Sequence, residues 1–199
     1  MPGEVLVRIT VVTGNAHKAV EIAAFFGKSI HVDHVALDVP EHRSNDVREI
    51  ARQKAQYAFN SLQLPLIVDD TAFTIDALNG FPGPYAAYVL TTIGNAGILK
   101  LMEGVENRNA RFTTAIAFAD GSCTKIFSGA IDGTISYAPR GAGGFGYDPI
   151  FEVQGRTLAE FSLEEKNVIS HRARALVAFR DWFLSRQKPN TGGSTDTNR

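Results

Sequence analysis

Two adjacent aspartates, Asp69 and Asp70, follow the short apolar run Leu66-Ile67-Val68 and lead directly into Thr71. Neighbouring side chains on a strand point to opposite faces, so one carboxylate can aim at a given site while the other orients it or caps a turn. Carboxylates where a buried strand ends are where α/β folds place bases and metal ligands. Glu41, in the polar stretch upstream, offers another carboxylate, and an oxygen-only donor set suits Mg²⁺ far better than zinc. The plainer alternative is turn chemistry, because Asp-Thr also favours turns.

Three further clusters carry chemistry-bearing types. Thr13-Gly14-Asn15 followed by Lys18 puts backbone amides and an ammonium at a helix start, where oriented N–H groups and the helix dipole favour an anion. The GxxxxGK[ST] spacing of a Walker A loop is absent, and an ordinary strand-to-helix turn is the alternative. The run Gly141 to Pro149 sets Phe145 and Tyr147 among glycines that let backbone approach a ligand closely. Either ring could stack on a planar base, or both could pack inward from a bulged hairpin. Lys166, His171 and Arg172 gather around a helix start at Ser170, where the dipole disfavours cations. An anionic ligand would resolve that conflict; a solvated basic face would also account for it.

The elements that must position these residues follow from patterning. Val5 to Val12 reads as a strand, Ala16 to Phe26 as a helix stopped by Gly27, and Ile30 to Val35 as a second strand. Residues 36–46 read as a loop. Asp46 with Glu49 resembles a capping box for a helix whose apolar stripe is Val47, Ile50, Ala51, Ala55, Ala58, Phe59 and Leu62. Lys54 falls within that stripe, as a lysine snorkelling past the core edge would. Helical material follows from Tyr85 to about Met102, interrupted near Gly94. Arg111 to Ala119 and Thr124 to Ile135 read as an antiparallel pair turning at Asp120-Gly121. Ser162 with Glu165 caps a short helix, and Ser170 caps a last one through about Leu184.

Composition bounds the rest. The chain has 199 residues, 44% apolar and 21% charged, with 20 basic against 21 acidic residues. That length supports one core-bearing domain over 1–186, with a polar tail, 187–199, that has nothing to bury and reads as disordered. A net charge of −1 argues against nucleic acid as a main partner, since its binders usually carry a basic excess. One cysteine excludes an intrachain disulfide and a four-cysteine zinc site. Neither a secretory signal nor a bilayer-spanning apolar stretch is visible, which gives a soluble, cytoplasmic expectation.

Taken in order, these segments resemble the inosine triphosphatase family, also called Ham1-like. The matching pieces are Thr13-Gly14-Asn15-x-x-Lys18, Pro40-Glu41, Lys54, Asp69-Asp70-Thr71, Asp76-Ala77-Leu78-x-Gly80-x-Pro82-Gly83-x-Tyr85, Gly143-Gly144-Phe145-Gly146-Tyr147-Asp148-Pro149-Ile150-Phe151, Glu165-Lys166-Asn167 and Ser170-His171-Arg172. Ala72 stands where many members have Gly, His42-Arg43 where many have Gln-Gly, and Tyr88-Val89 where bacterial members commonly have Arg-Tyr. The resemblance implies an α/β fold, a long mixed β-sheet flanked by helices in two lobes with a central nucleotide cleft. It implies a Mg²⁺-dependent homodimer that cleaves ITP, dITP and XTP between the α- and β-phosphates. Carried over by residue, Asp70 is the general base and a metal ligand, and Glu41 the second metal ligand. Thr13, Gly14, Asn15, Lys18, Lys54, Thr71 and Lys166 hold phosphates, with Lys18 and Lys54 serving catalysis. Phe145, Gly146, Tyr147 and Asp148, with His171 and Arg172, hold the base. A Maf-like pyrophosphatase of other base specificity and a non-catalytic purine-nucleotide-binding module are the alternatives.

Overall fold

A computed structural model describes residues 7–40 and 42–187 of the chain. Glu41 and the tail beyond Gln187 lie outside the described residues. The chain alternates β1 (Arg8–Val12), α1 (Ala16–Phe26), β2 (His31–Val35), α2 (Val47–Leu62) and β3 (Leu66–Ile75). From β1 it steps to β2 on one side, then back across β1 to β3 on the other, and both pairings are parallel. Right-handed crossovers in opposite directions put α1 and α2 on opposite faces of the sheet. The crevice outside the carboxyl end of β1, where the strand order reverses, is where such sheets take ligands.

The sheet continues antiparallel. A two-residue strand β4 (Pro82–Gly83) pairs β3 at Phe73 and Thr74. Short helices α3 (Ala86–Thr92) and α4 (Gly94–Leu101) follow, broken near Gly94 as the sequence predicts. β5 (Asn109–Ala119) pairs the whole of β3, and β6 (Thr124–Ile135) pairs β5. β7 (Phe151–Val153) and β8 (Arg156–Thr157) complete the order β2-β1-β3-β5-β6-β7-β8. The last helices are α5 (Leu163–Ile169) and α6 (His171–Gln187), so α6 runs past Leu184.

Three apolar clusters fill the molecule. α1 and α6 cover one face at the parallel end, through Ile22, Phe26, Leu176 and Phe179 against Ile67, Ile116 and Phe118. α2 covers the opposite face, where Ala115, Ala117 and Ala119 of β5 let it approach closely. The third cluster, Phe73, Ile98, Phe112, Ile135 and Phe151 among its members, lies at the far end of the long strands. The mixed sheet, its flanking helices and its two ends thus match the fold that the sequence implies. No helix among the described residues is long and apolar enough to cross a membrane.

Two local expectations change. Asp46 caps α2 through the Arg48 amide at 2.9 Å, but Glu49 does not close a capping box; its carboxylate takes Gln53 at 2.7 Å and Arg52 at 3.4 Å. The strand carrying Asp69 and Asp70 does not end there either. It continues to Ile75, and what ends is its parallel neighbour, since β1 stops at Val12 opposite Val68. The aspartates therefore flank a notch in the sheet, bounded below by β1 and above by β4.

Candidate active site

The notch opens into a cavity of about 770 Å³, a volume suited to a drug-sized ligand or nucleotide. Thr13, Gly14, Asn15, Lys18, Lys54, Asp70, Thr71, Phe145, Gly146, Tyr147, Asp148, Lys166, His171 and Arg172 all line it, joined by Asp69, Asp38 and the apolar Leu37, Val39 and Leu90. Every described residue singled out from the sequence is thus brought to one place; Glu41 lies outside the described residues.

At the start of α1 the turn is largely self-satisfied. Asn15 caps the amides of His17 at 3.0 Å and Lys18 at 3.4 Å, and Thr13 Oγ1 accepts from the Asn15 amide. These amides are therefore not open to an anion, as the sequence reading has them. Lys18 is what the turn projects: its ammonium reaches Asp69 Oδ1 at 2.6 Å and the Asp69 carbonyl at 3.1 Å, across the edge that β1 vacates.

Asp69 lies on the α1/α6 face of β3, within a chain of buried charges. Arg172 Nε donates to Asp69 Oδ2 at 2.8 Å while its Nη1 engages Glu21. Lys166 Nζ bridges Glu21 and Asp148, each at 2.6 Å, and Asp148 Oδ2 also accepts from the Phe145 amide at 2.7 Å. Three cations and three carboxylates, all largely withdrawn from water, balance one another. The conflict of cations at the start of α6 is resolved by these carboxylates rather than by an anionic ligand. His171 is no cation at all: burial and the neighbouring Arg172 hold its pKa well below the usual 6.5. Burial opposes ionisation of Asp69, yet Arg172 and Lys18 outweigh it and hold its pKa well below the ordinary range. For Asp148, burial wins over Lys166 and the pKa is raised.

Glu21 was not legible as a site residue, although it sits next to Ile22 on the buried side of α1, where an unpaired glutamate would be costly. The glycine loop wraps tightly around Asp148: Gly144 has φ of +68°, and a Cβ there would collide with the Asp148 carboxylate. Gly129 on β6 similarly admits the first turn of α6, since a Cβ would meet the His171 carbonyl.

The aromatics divide. Tyr147 is core: its ring stacks on Phe73 at 4.6 Å and its hydroxyl donates to the Ala86 carbonyl at 2.8 Å. Phe145 instead stays outside the core, on the cavity wall. Its half-buried ring stacks on His17 at 5.3 Å and carries Lys166 Nζ at 4.9 Å from its centroid.

On the opposite face of β3, Asp70 meets Lys54 from α2, 2.7 Å from Oδ2, so Lys54 reaches into the site instead of snorkelling to solvent. This contact is an ion pair without hydrogen-bond alignment, and Asp70 Oδ2 is buried with no hydrogen-bond partner among the described residues. Asp70 Oδ1 accepts from the Thr71 amide at 3.0 Å. A carboxylate oxygen at a cavity wall that is ion-paired but short of a hydrogen bond fits a hard divalent cation.

The pattern of the Ham1 family matches residues 9–182. The chain belongs to the Ham1 family. A Methanopyrus kandleri protein named dITP/XTP pyrophosphatase is 48% identical over 182 residues, covering 88% of this chain and 96% of its own. An Emericella nidulans protein named inosine triphosphate pyrophosphatase is 40% identical, covering 88% and 96%. The solved structure of the Staphylococcus aureus Ham1 protein aligns with a TM-score of 0.78 at 31% identity, over 91% of this chain and all of that one. The Ham1 family match thus spans every element that lines the cavity.

Proposed function

We propose that this chain hydrolyses the non-canonical purine nucleotides ITP, dITP and XTP between the α- and β-phosphates, releasing the monophosphate and pyrophosphate. The observation that carries this reading is the Asp70 oxygen, ion-paired with Lys54 but without a hydrogen bond, on the wall of a cavity whose other end holds Phe145 beside buried cations. Relatives named for dITP, XTP and inosine triphosphate support the substrate class.

Hydrolysis needs an oriented water, a base to take its proton and cations to neutralise the departing pyrophosphate. Asp70 is the base. Lys18 and Lys54, with side chains 16% and 14% exposed, are the cations placed to meet phosphates, whereas Lys166 at 4% is already committed to Glu21 and Asp148. Asp70, with Glu41 as the family resemblance implies, would hold Mg²⁺, which would supply further neutralisation of phosphate charge. At the other end, hypoxanthine and xanthine present a carbonyl oxygen at C6, an acceptor suited to the donors around Phe145. Adenine presents an amino donor there, so donor would face donor, and leaving such groups unpaired costs about 1–3 kcal/mol each. The Phe145 amide does not take part, because Asp148 already accepts from it. The enzyme acts as a cytoplasmic homodimer on free nucleotides; its near-neutral net charge suits small ligands better than nucleic acid.

The test is to incubate the purified chain with Mg²⁺ and ITP, dITP, XTP, GTP or ATP, following pyrophosphate and orthophosphate separately. Pyrophosphate is expected, with kcat/KM for ITP and XTP more than about tenfold above ATP. Orthophosphate as the product would overturn the cleavage position, and ATP within tenfold of ITP would overturn the base preference.

A further inference from the structure

Thr114 is completely buried at the centre of β5, and nothing in the reaction proposed above uses it. Its hydroxyl nevertheless has two close polar neighbours, Thr71 Oγ1 at 2.7 Å and His171 Nδ1 at 2.6 Å. The first belongs to the strand carrying Asp70 and the second to the helix start that lines the base end of the cavity. Cross-strand pairing fixes the first contact, since Thr71 and Thr114 stand directly opposite each other. Stacking of His171 on Phe112 at 4.7 Å fixes the second.

Donor and acceptor bookkeeping orients this chain. A hydroxyl has one proton to give, and a guanidinium only donates. Arg172 Nη2 approaches Thr71 Oγ1 at 3.4 Å, so Thr71 accepts there. The Thr71 proton can go to Thr114 at 2.7 Å or to Asp69 Oδ1 at 3.5 Å, an oxygen already taken by Lys18 at 2.6 Å. The shorter contact to the less occupied acceptor prevails, and Thr114 must then spend its own proton on His171 Nδ1. A neutral ring with Nδ1 accepting carries its hydrogen on Nε2, and Nε2 is the ring nitrogen left for a ligand.

We propose that Thr114 is a positioning residue that sets the tautomer of His171, making Nε2–H a hydrogen-bond donor to an acceptor on the purine, in the order Arg172 to Thr71 to Thr114 to His171. The purine part rests on the proposed function; the tautomer part stands on the hydrogen bonds alone. The buried histidine is a donor because of a threonine on another element, which links the phosphate side of the cavity to its base side through two hydroxyls.

The experiment is ¹⁵N NMR of the imidazole in the full chain, with kinetics on ITP, for wild type, Thr114→Val and Thr114→Ser. Valine keeps the shape and removes the hydroxyl; serine keeps the hydroxyl. Wild type and Thr114→Ser are expected to show the Nε2–H tautomer of His171. Thr114→Val is expected to lose that single tautomer and to raise KM for ITP about tenfold, with kcat changed far less. An Nδ1–H tautomer in the wild type, or the same tautomer and KM in Thr114→Val, would overturn the inference. If Thr114→Val folds poorly, Thr114→Ala removes the same hydroxyl, and an unchanged His171 tautomer there would overturn it equally. If the wild type hydrolyses no ITP, the proposed function falls, while the tautomer measurement still decides the relay.

Discussion

Asp69 and Asp70 are consecutive residues on one strand, and they live in opposite circumstances. Asp69 has a side chain closed to solvent and answers to Lys18 and Arg172, in a network that continues through Glu21 and Lys166 to Asp148. Asp70 has Lys54 at its side but keeps one oxygen without a hydrogen bond. The period of two along a strand makes this possible, because one residue serves the α1/α6 face and the next the α2 face. The contrast separates two uses of a carboxylate. A saturated one holds other groups in place, and an unsaturated one is left with bonding capacity for a proton or a cation.

The largest effect that sharpens this contrast comes from Asp70→Asn. The amide is nearly isosteric but a poor proton acceptor, so turnover of ITP should fall roughly 10²- to 10⁴-fold, with nucleotide binding retained. Activity within a factor of a few of wild type would remove Asp70 from the role of base. Asp69→Asn should do the reverse and strike stability. Removing one partner of a buried charge pair typically costs about 3–5 kcal/mol, readable as a lower urea midpoint. If that variant stays as stable as wild type, the network is not a scaffold.

Lys18 stands between the two regimes, since it is paired with Asp69 yet faces the cavity. Lys18→Ala should lower kcat/KM for ITP about tenfold to a hundredfold, with both kcat and KM worsened, because charge on the departing phosphates grows towards the transition state. A purely thermal effect with intact kinetics would assign Lys18 to the scaffold instead. A smaller effect is expected from pH. The folded-state pKa of Asp69 lies below its ordinary 3.8, so the unfolded chain binds the extra proton in acid. The stability that Asp69 contributes is present above about pH 4 and is lost as pH falls below it. Melting temperatures taken from pH 7 to pH 3 should therefore fall less steeply on the acid side for Asp69→Asn than for wild type.

Much of the site is legible in the sequence because its groups sit in short runs whose chemistry is local: Thr13 to Lys18, Asp69 to Thr71, Phe145 to Asp148. What is not legible depends on pairing between distant segments. Val68-Asp69-Asp70 looks like the end of a strand because the apolar run stops, but β5 pairs on to Ile75 and only β1 withdraws. Lys54 looks like a lysine at the edge of an apolar stripe, since its partner is sixteen residues away on another element. Glu21 is a single charge within an apolar stretch and Thr114 the second of two threonines on a strand, and each gains meaning only from partners on other elements. Tyr147 lies two residues from Phe145 in the same glycine-rich run, and its inward direction comes from distant partners, Phe73 and the Ala86 carbonyl.

The three long strands have a mechanical consequence. β3, β5 and β6 extend for 10, 11 and 12 residues and pass unbroken from the paired helices at one end to the aromatic cluster at the other. A hinge between the two ends would have to bend all three hydrogen-bonded strands at once. The floor of the cleft is thus a stiff plank that holds Asp69, Asp70 and Thr114 in one fixed register.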